Sequence, residues 1–125
     1  MTLTLDVSQR LNLVAVLDAY QCQGRREAFA VCRLQEKIDL DEDERKAAHW
    51  EKVPTPNGQE YVSWNLAQAA TMASKDIELP DDDIARICRS LDQFNVVLGR
   101  DRFWWKPLVA QLPAPVESNG TTKKE

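Results

Sequence analysis

The chain has 125 residues, 43% hydrophobic and 29% charged, so it is too apolar for a mostly disordered protein and has the length of one compact domain. Its formal net charge of −4 at pH 7 argues against binding to nucleic acid, because attraction to phosphates requires a concentrated basic surface. The longest apolar stretch near the N-terminus, LNLVAVL, is too short to span a membrane and follows no basic signal-peptide region, which predicts a cytoplasmic protein without a membrane partner.

The first third of the chain has the pattern of two helices. Apolar residues recur at helical intervals between residues 7 and 21, and Asp6 and Gln9 have the spacing of a capping box. Gly24 supplies a stop for this helix, and RREAFAVCRLQEK then carries a second helical pattern. We therefore expect two antiparallel helices joined by a tight turn.

The middle of the chain changes to the pattern of a β-hairpin. The segments WEKV and EYVSW flank PTPNGQ, in which Asn57 and Gly58 can adopt the positive φ values of a tight turn. Strand alternation puts Val62 and Trp64 on one face, which is then available to cover the helices. The alanine-rich segment that follows predicts a helical turn or a longer loop, with Asn65 as a cap.

The strongest helical pattern belongs to PDDDIARICRSLDQFNVVLG. Apolar residues recur at helical spacing as far as Leu98, and Gly99 can end the helix, which predicts one long helix from about residue 80 to 98. The next segment, DRFWWKPLVAQL, is apolar, and Pro107 is expected to break it into two pieces.

These elements predict an α+β, mainly helical fold with an N-terminal helix pair, a small antiparallel hairpin or sheet and a long C-terminal helix. Residues 1–112 are expected to form a single globular domain. Residues 113–125 are rich in proline and polar side chains, and this composition predicts a flexible C-terminal tail.

A short acidic phrase occurs twice, as KIDLDEDE and as DIELPDDD. In both copies the apolar residues alternate as in a short strand, and the acids precede a helix. Asp41 is placed as an N-cap with Glu44 three residues later, while Pro80 and the acids after it suit a helix N-terminus. A calcium loop opening at Asp39 would need a glycine and a glutamate that are missing. The phrase therefore indicates helix capping, and whether it also records a duplication stays open.

Few residues in the chain can carry catalysis or hold a metal. The three cysteines, Cys22, Cys32 and Cys88, have no short paired spacing, which is typical of reduced thiols in a cytosolic protein. Together with His49 they match no usual zinc-site spacing, and no glycine-rich phosphate loop is present. We therefore expect a protein that is not an enzyme and uses no metal or other cofactor.

The most distinctive residue type is tryptophan. Trp50 and Trp64 lie at the outer ends of the predicted hairpin, where they are expected to seal it against the helices. Trp104 and Trp105 cannot both point inward from a regular helix, because neighbouring side chains differ by about 100°. The segment GRDRFWWK adds cations to these rings, as in a protein-interface hot spot or a pocket for an anionic planar ligand, although packing against the long helix is the alternative. The predicted binding residues are Arg100, Arg102, Trp104, Trp105 and Lys106.

Four segments follow one another in the order RLNLVAVL, EKIDLDEDE, the WN pair at Trp64 and Asn65, and KDIELPDDDIARICRSLDQF. In the order of these segments, the chain resembles a family of short bacteriophage and prophage proteins that have no established function. The resemblance covers roughly residues 8 to 98, and the tryptophan-rich C-terminal segment and the tail depart from it. It implies a mobile-element origin and a bacterial cytoplasm, and it supplies no catalytic residues.

Three classes of function are compatible with these features. The first is a small non-enzymatic binding protein that engages a host or phage macromolecule as an inhibitor or regulator, and an exposed aromatic residue favours this class. The second is a structural or assembly subunit of a phage complex, a homo-oligomer in which the same aromatics bury a subunit interface. The third is a protein that sequesters a small anionic, nucleotide-like ligand between arginine and tryptophan.

Overall fold

The structure of the protein, a computed structural model, describes residues 1–113, and within that range it has six helices and two antiparallel sheets of two strands each. This architecture confirms the predicted α+β, mainly helical fold. Most of the predicted tail lies outside the described residues. In chain order the elements are β1 Thr2–Leu5, α1 Val7–Ala19, α2 Gly24–Ile38, α3 Glu42–Ala47, β2 Glu51–Pro54, β3 Glu60–Ser63, α4 Leu66–Thr71, β4 Lys75–Glu78, α5 Asp81–Gln93 and α6 Leu98–Val109.

The N-terminal helix pair forms as predicted, and α1 starts with the expected capping box. The Gln9 backbone N–H donates to Asp6 Oδ1 at 2.8 Å, and the Asp6 backbone N–H donates to Gln9 Oε1 at 2.8 Å. Helix α1 ends at Ala19, where Tyr20 turns to an extended backbone. Gly24 is not the stop of α1; it has a φ of 85° and begins α2, a conformation that glycine adopts without steric cost.

The first strand of the protein was not predicted. Strand β1 pairs antiparallel with β4, with Leu3 opposite Ile77, so the second acidic phrase joins this sheet and not the hairpin. The first copy of the phrase contains no strand, because Ile38 still belongs to α2. The outer edge of β1 is closed by a side chain: the Thr4 N–H donates to Gln111 Oε1 at 2.7 Å, and Gln111 Nε2 donates to the Thr4 carbonyl at 2.8 Å.

The predicted long C-terminal helix is two helices. Helix α5 ends at Gln93, and Phe94 takes an extended backbone that directs its ring to the main core. Two β-branched valines follow, and such residues lose side-chain freedom in a helix. Leu98 therefore starts α6 and is 51% exposed, while Gly99 lies inside the first turn of that helix.

The prediction that Pro107 breaks this segment is also wrong, because α6 continues past Pro107 to Val109. Proline lacks the N–H that would bond the preceding turn, so the helix loses one hydrogen bond there. The next residue, Leu108, is fully buried in the main core, and the Ala110 N–H donates to the Lys106 carbonyl at 3.1 Å. Tertiary packing thus outweighs the local preference against helix.

Two clusters of apolar side chains form the interior. The main cluster lies between the β1–β4 sheet and helices α1, α2, α5 and α6. The second cluster is built from Val7, Leu11, Leu40, Ala48 and Ala69, and Trp50 and Trp64 pack against it as expected from their places at the ends of the hairpin. The hairpin itself covers little, since Val62 remains 39% exposed.

A buried arginine joins α1 to the first acidic phrase. Arg10 is 1% exposed, and its Nε and Nη2 donate to the carbonyls of Ile38 and Asp39, each at 2.8 Å. Its guanidinium also binds the Glu44 carboxylate, with Nη2 3.0 Å from Oε1. Glu44 completes the predicted capping box with Asp41, whose carboxylate accepts from the Glu44 N–H at 2.7 Å. The acids of this phrase therefore cap α3 and neutralise a buried cation.

The acids of the second phrase also make ion pairs. Asp83, which is 6% exposed, receives Lys37 Nζ at 2.9 Å and Arg86 Nη1 at 3.1 Å. Arg86 Nε also lies 3.1 Å from Glu27 Oε1, so this group of ion pairs links α5 to α2. Pro80 is the N-cap of α5 and makes no side-chain capping bond, which leaves the acids of the first turn to complement the helix dipole.

Candidate functional site

The five predicted binding residues lie on α6 but do not share one surface. Arg100, Arg102 and Lys106 are exposed, Trp105 is half-buried, and Trp104 is 2% exposed. The prediction that the two tryptophans differ in exposure is confirmed. The contribution of Trp104 to a binding surface stays a prediction, and its ring belongs to the main core in this structure.

Trp104 is held in the core by an aromatic contact of its ring and a hydrogen bond of its indole N–H. Its ring packs against Phe94, with 5.7 Å between centroids, and its Nε1 donates to Asp101 Oδ1 at 3.2 Å. Asp101 is 3% exposed and also accepts from the Val97 N–H at 2.9 Å, which ties the start of α6 to the same carboxylate. A buried indole with a satisfied N–H is a packing residue.

Arg100 makes an ion pair with the same aspartate, Asp101. Its Nη2 lies 3.0 Å from Asp101 Oδ2, and this pairing lowers the pKa of the Asp101 carboxyl although burial opposes the shift. Most of the Arg100 side chain remains exposed, but its charge balances that of Asp101. Unlike Arg100, Arg102 and Lys106 make no ion pair within residues 1–113.

The sequence analysis missed Phe103, which lies between the predicted residues and is 55% exposed. Leu66, at the start of α4, is 56% exposed, and the two side chains line one cavity of about 240 Å³. The other residues that line this cavity are Asp6, Ser8, Ala69 and Ala70. Helical spacing contained the signal: if positions 101, 104 and 108 face the core, position 103 faces outward. We define the α6 surface by the residues Leu66, Arg102, Phe103 and Lys106.

The Cys22 and Cys88 thiols lack the lowered pKa of an activated nucleophile. Burial is the largest cause that raises the pKa of the Cys22 and Cys88 thiols, the opposite of the shift that activates a nucleophile. Cys32 is exposed. In the described part of the chain, no group of three His, Cys, Asp or Glu side chains lies close enough to hold a metal ion. Nor does any helix within residues 1–113 have the length and apolar character needed to cross a membrane.

Comparison with known proteins gives no match to this chain, whether with protein-family models, with curated proteins or with solved structures.

Proposed function

We propose that the protein is a small non-enzymatic binding protein that engages a host or phage protein as an inhibitor or regulator in the bacterial cytoplasm. One observation carries the proposal. Phe103 and Leu66 are both more than half exposed and line one cavity from different helices. Arg102 and Lys106 are exposed on the same helix as Phe103 and make no ion pair in the described part of the chain.

This combination is more specific than the exposure of a single apolar residue. Isolated exposed leucines are normal on protein surfaces, but an aromatic ring and a leucine that share a cavity form a patch whose burial is favourable. Aromatic and arginine side chains carry much of the energy of protein interfaces. The partner that fits has an apolar side chain for the cavity and carboxylates around it for Arg102 and Lys106.

The other two classes receive less support from the same residues. A pocket for an anionic planar ligand needs a tryptophan face beside a free arginine, but Trp104 is buried and Arg100 is paired with Asp101. Only the half-buried Trp105 and Arg102 remain for such a ligand among the predicted binding residues. An assembly subunit would have to cover the α6 surface with a second copy of a chain. The resemblance to phage and prophage proteins supports a host or phage macromolecule as the partner class.

The test is charge reversal on the α6 surface. We expect the double variant Arg102→Glu, Lys106→Glu, and separately Phe103→Ala, to weaken the affinity for a protein captured from bacterial lysate by at least about fivefold, because each removes a group at the centre of the contact. The captured protein is identified, and its affinity for each purified variant is then measured by calorimetry. Exposed substitutions change stability by less than about 0.5 kcal/mol, so the variants should melt as the wild type does.

A matched control is available on α2. The double variant Arg25→Glu, Arg26→Glu reverses two exposed arginines, produces the same change of net charge and should leave the affinity unchanged. If the α6 variants stay folded and keep wild-type affinity, the α6 surface is not the binding site. If light scattering shows a wild-type oligomer that the α6 variants abolish, the assembly class replaces the proposed one.

A further inference from the structure

The β2–β3 hairpin stands away from the body of the protein and is attached at its base. Among its strand residues, Val53 and Ser63 are half-buried and the others are exposed. Trp50 and Trp64 flank the strands and pack against the second cluster, and Trp64 Nε1 donates to Ser8 Oγ at 3.3 Å. The base is therefore fixed while both faces of the strands remain accessible.

The connection from α3 to the hairpin fixes the position of an aromatic ring. His49 has a left-handed backbone with a φ of 57°, its N–H donates to the Lys46 carbonyl at 3.2 Å, and the Trp50 N–H donates to the Arg45 carbonyl at 2.9 Å. These are the two hydrogen bonds of a Schellman motif, which turns the chain back over the end of the helix. The Arg45 guanidinium carbon consequently lies 4.2 Å from the centroid of the Trp50 ring.

A groove of about 840 Å³ separates the hairpin from α1 and α2. Its volume lies within the range of roughly 300–1,000 Å³ that is typical of ligand sites. Leu11 and Val14 line it on the helical side, and Tyr61, Val62 and Trp64 line it on the hairpin side. Tyr61 is 54% exposed, so the groove presents a rigid aromatic contact area to the solvent.

The groove is acidic. Four carboxylates line it, and the two cations that accompany them are Arg45 and Lys52. Arg45 is already bound to Asp39, with 2.7 Å between Nη2 and Oδ2. Glu36 and Glu60, by contrast, have no side-chain hydrogen bond or ion pair in the part of the chain that the structure describes. The unbalanced charge of the groove is therefore negative.

We propose that this groove binds a short cationic segment of a partner protein, one in which an apolar anchor stands next to lysine or arginine. The anchor packs against Tyr61 and against Trp50, which also lines the groove. The cations pair with Glu36 and Glu60. Apolar contact supplies the affinity, and charge complementarity supplies the choice of partner and the speed of association. The groove lies on elements other than α6 and has the opposite charge, so the inference does not depend on the proposed function.

The experiment uses the full chain and three short fluorescein-labelled peptides, which alternate leucine with lysine, leucine with glutamate, and serine with lysine. We expect the leucine–lysine peptide alone to bind saturably in fluorescence anisotropy, and its amide shift changes in NMR to map to the groove. Tyr61→Ala should weaken this binding by at least about fivefold because it removes the exposed ring, and Glu36→Lys should do so because it reverses an unpaired charge.

Two control variants match these changes outside the groove. Phe29→Ala removes a ring that is 64% exposed in the N-terminal half of α2, outside the groove lining. Asp43→Lys reverses the charge of an exposed acid on α3. Neither substitution should alter peptide affinity. The double α6 variant Arg102→Glu, Lys106→Glu should also bind the peptide normally, which separates this test from that of the α6 surface. Absence of saturable binding, equal binding of either other peptide, or an affinity unchanged by Tyr61→Ala in a folded protein would overturn the proposal.

Discussion

Replacing Glu44 by alanine is expected to lower the free energy of unfolding by about 3 kcal/mol at pH 7, since removal of one partner from a buried ion pair leaves an uncompensated charge. The remaining charge is that of Arg10, whose side chain is 1% exposed, whereas that of Glu44 is 23% exposed. Arg10 keeps its two backbone acceptors, but both Nη1 and Nη2 lose their hydrogen bonds to the Glu44 carboxylate. Urea unfolding followed by circular dichroism measures the change.

Neighbouring substitutions separate the ion pair from the helix cap. Asp41→Ala removes the capping carboxylate and leaves Arg10 paired, so it should cost only about 0.5–2 kcal/mol. Asp43→Ala changes an exposed acid in the same turn and should cost less than about 0.5 kcal/mol. If Glu44→Ala costs no more than Asp41→Ala, the contribution of the buried pair has been overestimated.

The same pair makes stability depend on pH. The hydrogen bond from Arg10 is the largest cause that lowers the pKa of Glu44, from its usual 4.5 to about 2. Because the folded pKa is the lower one, this stabilisation is fully present above pH 4.5 and is lost as the pH falls towards 2. A shift of this size corresponds to a stabilisation on the order of 3 kcal/mol that is present only while Glu44 is ionised. The difference in the free energy of unfolding between the wild type and Glu44→Gln should therefore shrink as the pH falls from 4.5 towards 2.

Local signals in the sequence were sufficient to predict the caps. The carboxylate of Asp6 or Asp41 and the amide oxygen of Asn65 each bond a backbone N–H three residues later, so their partners are visible in a short stretch of sequence. The turn at Gly58 is equally local, since its φ of 86° favours glycine. Nearby partners explain why these elements were found.

Elements that depend on distant partners were missed. Strand β1 has only four residues and gains its backbone partners from β4, far along the chain, so no local pattern identifies it. Arg10 looks like a solvated charge on a helix, but its acceptors include the carbonyl of Ile38, which lies 28 residues away. Likewise, the boundary between α5 and α6 depends on the ring of Phe94 entering the main core. Side-chain periodicity carries no information on such contacts.

The exposure of the aromatic side chains on α6 was predicted only in part, for the same reason. The angle between neighbouring helical residues required Trp104 and Trp105 to differ, and they do. Which of them faces the core depends on the direction in which α6 crosses the protein, and that is set by the contacts of Asp101 and Phe94. Once Trp104 is assigned to the core, Phe103 becomes the aromatic residue of the surface.

Replacing Trp104 by alanine is expected to lower the free energy of unfolding by about 3–5 kcal/mol, the usual cost of deleting a large buried aromatic side chain. The deletion removes the contact with Phe94 and leaves Asp101 without one of its donors. Phe103→Ala, on the same helix, should cost less than about 0.5 kcal/mol, because that ring is 55% exposed. Thermal and urea unfolding of both variants measure the difference.

The conservative variant Trp104→Phe distinguishes packing from partner contact. It keeps most of the buried ring, so the protein should remain folded and bind the partner of the α6 surface with wild-type affinity, whereas Phe103→Ala should remain folded and lose affinity. The opposite pattern, with Trp104→Phe folded but impaired in binding and Phe103→Ala unaffected, would return Trp104 to the interface. It would also mean that α6 rotates to expose that ring when the partner binds, since a side chain that is 2% exposed cannot otherwise reach it.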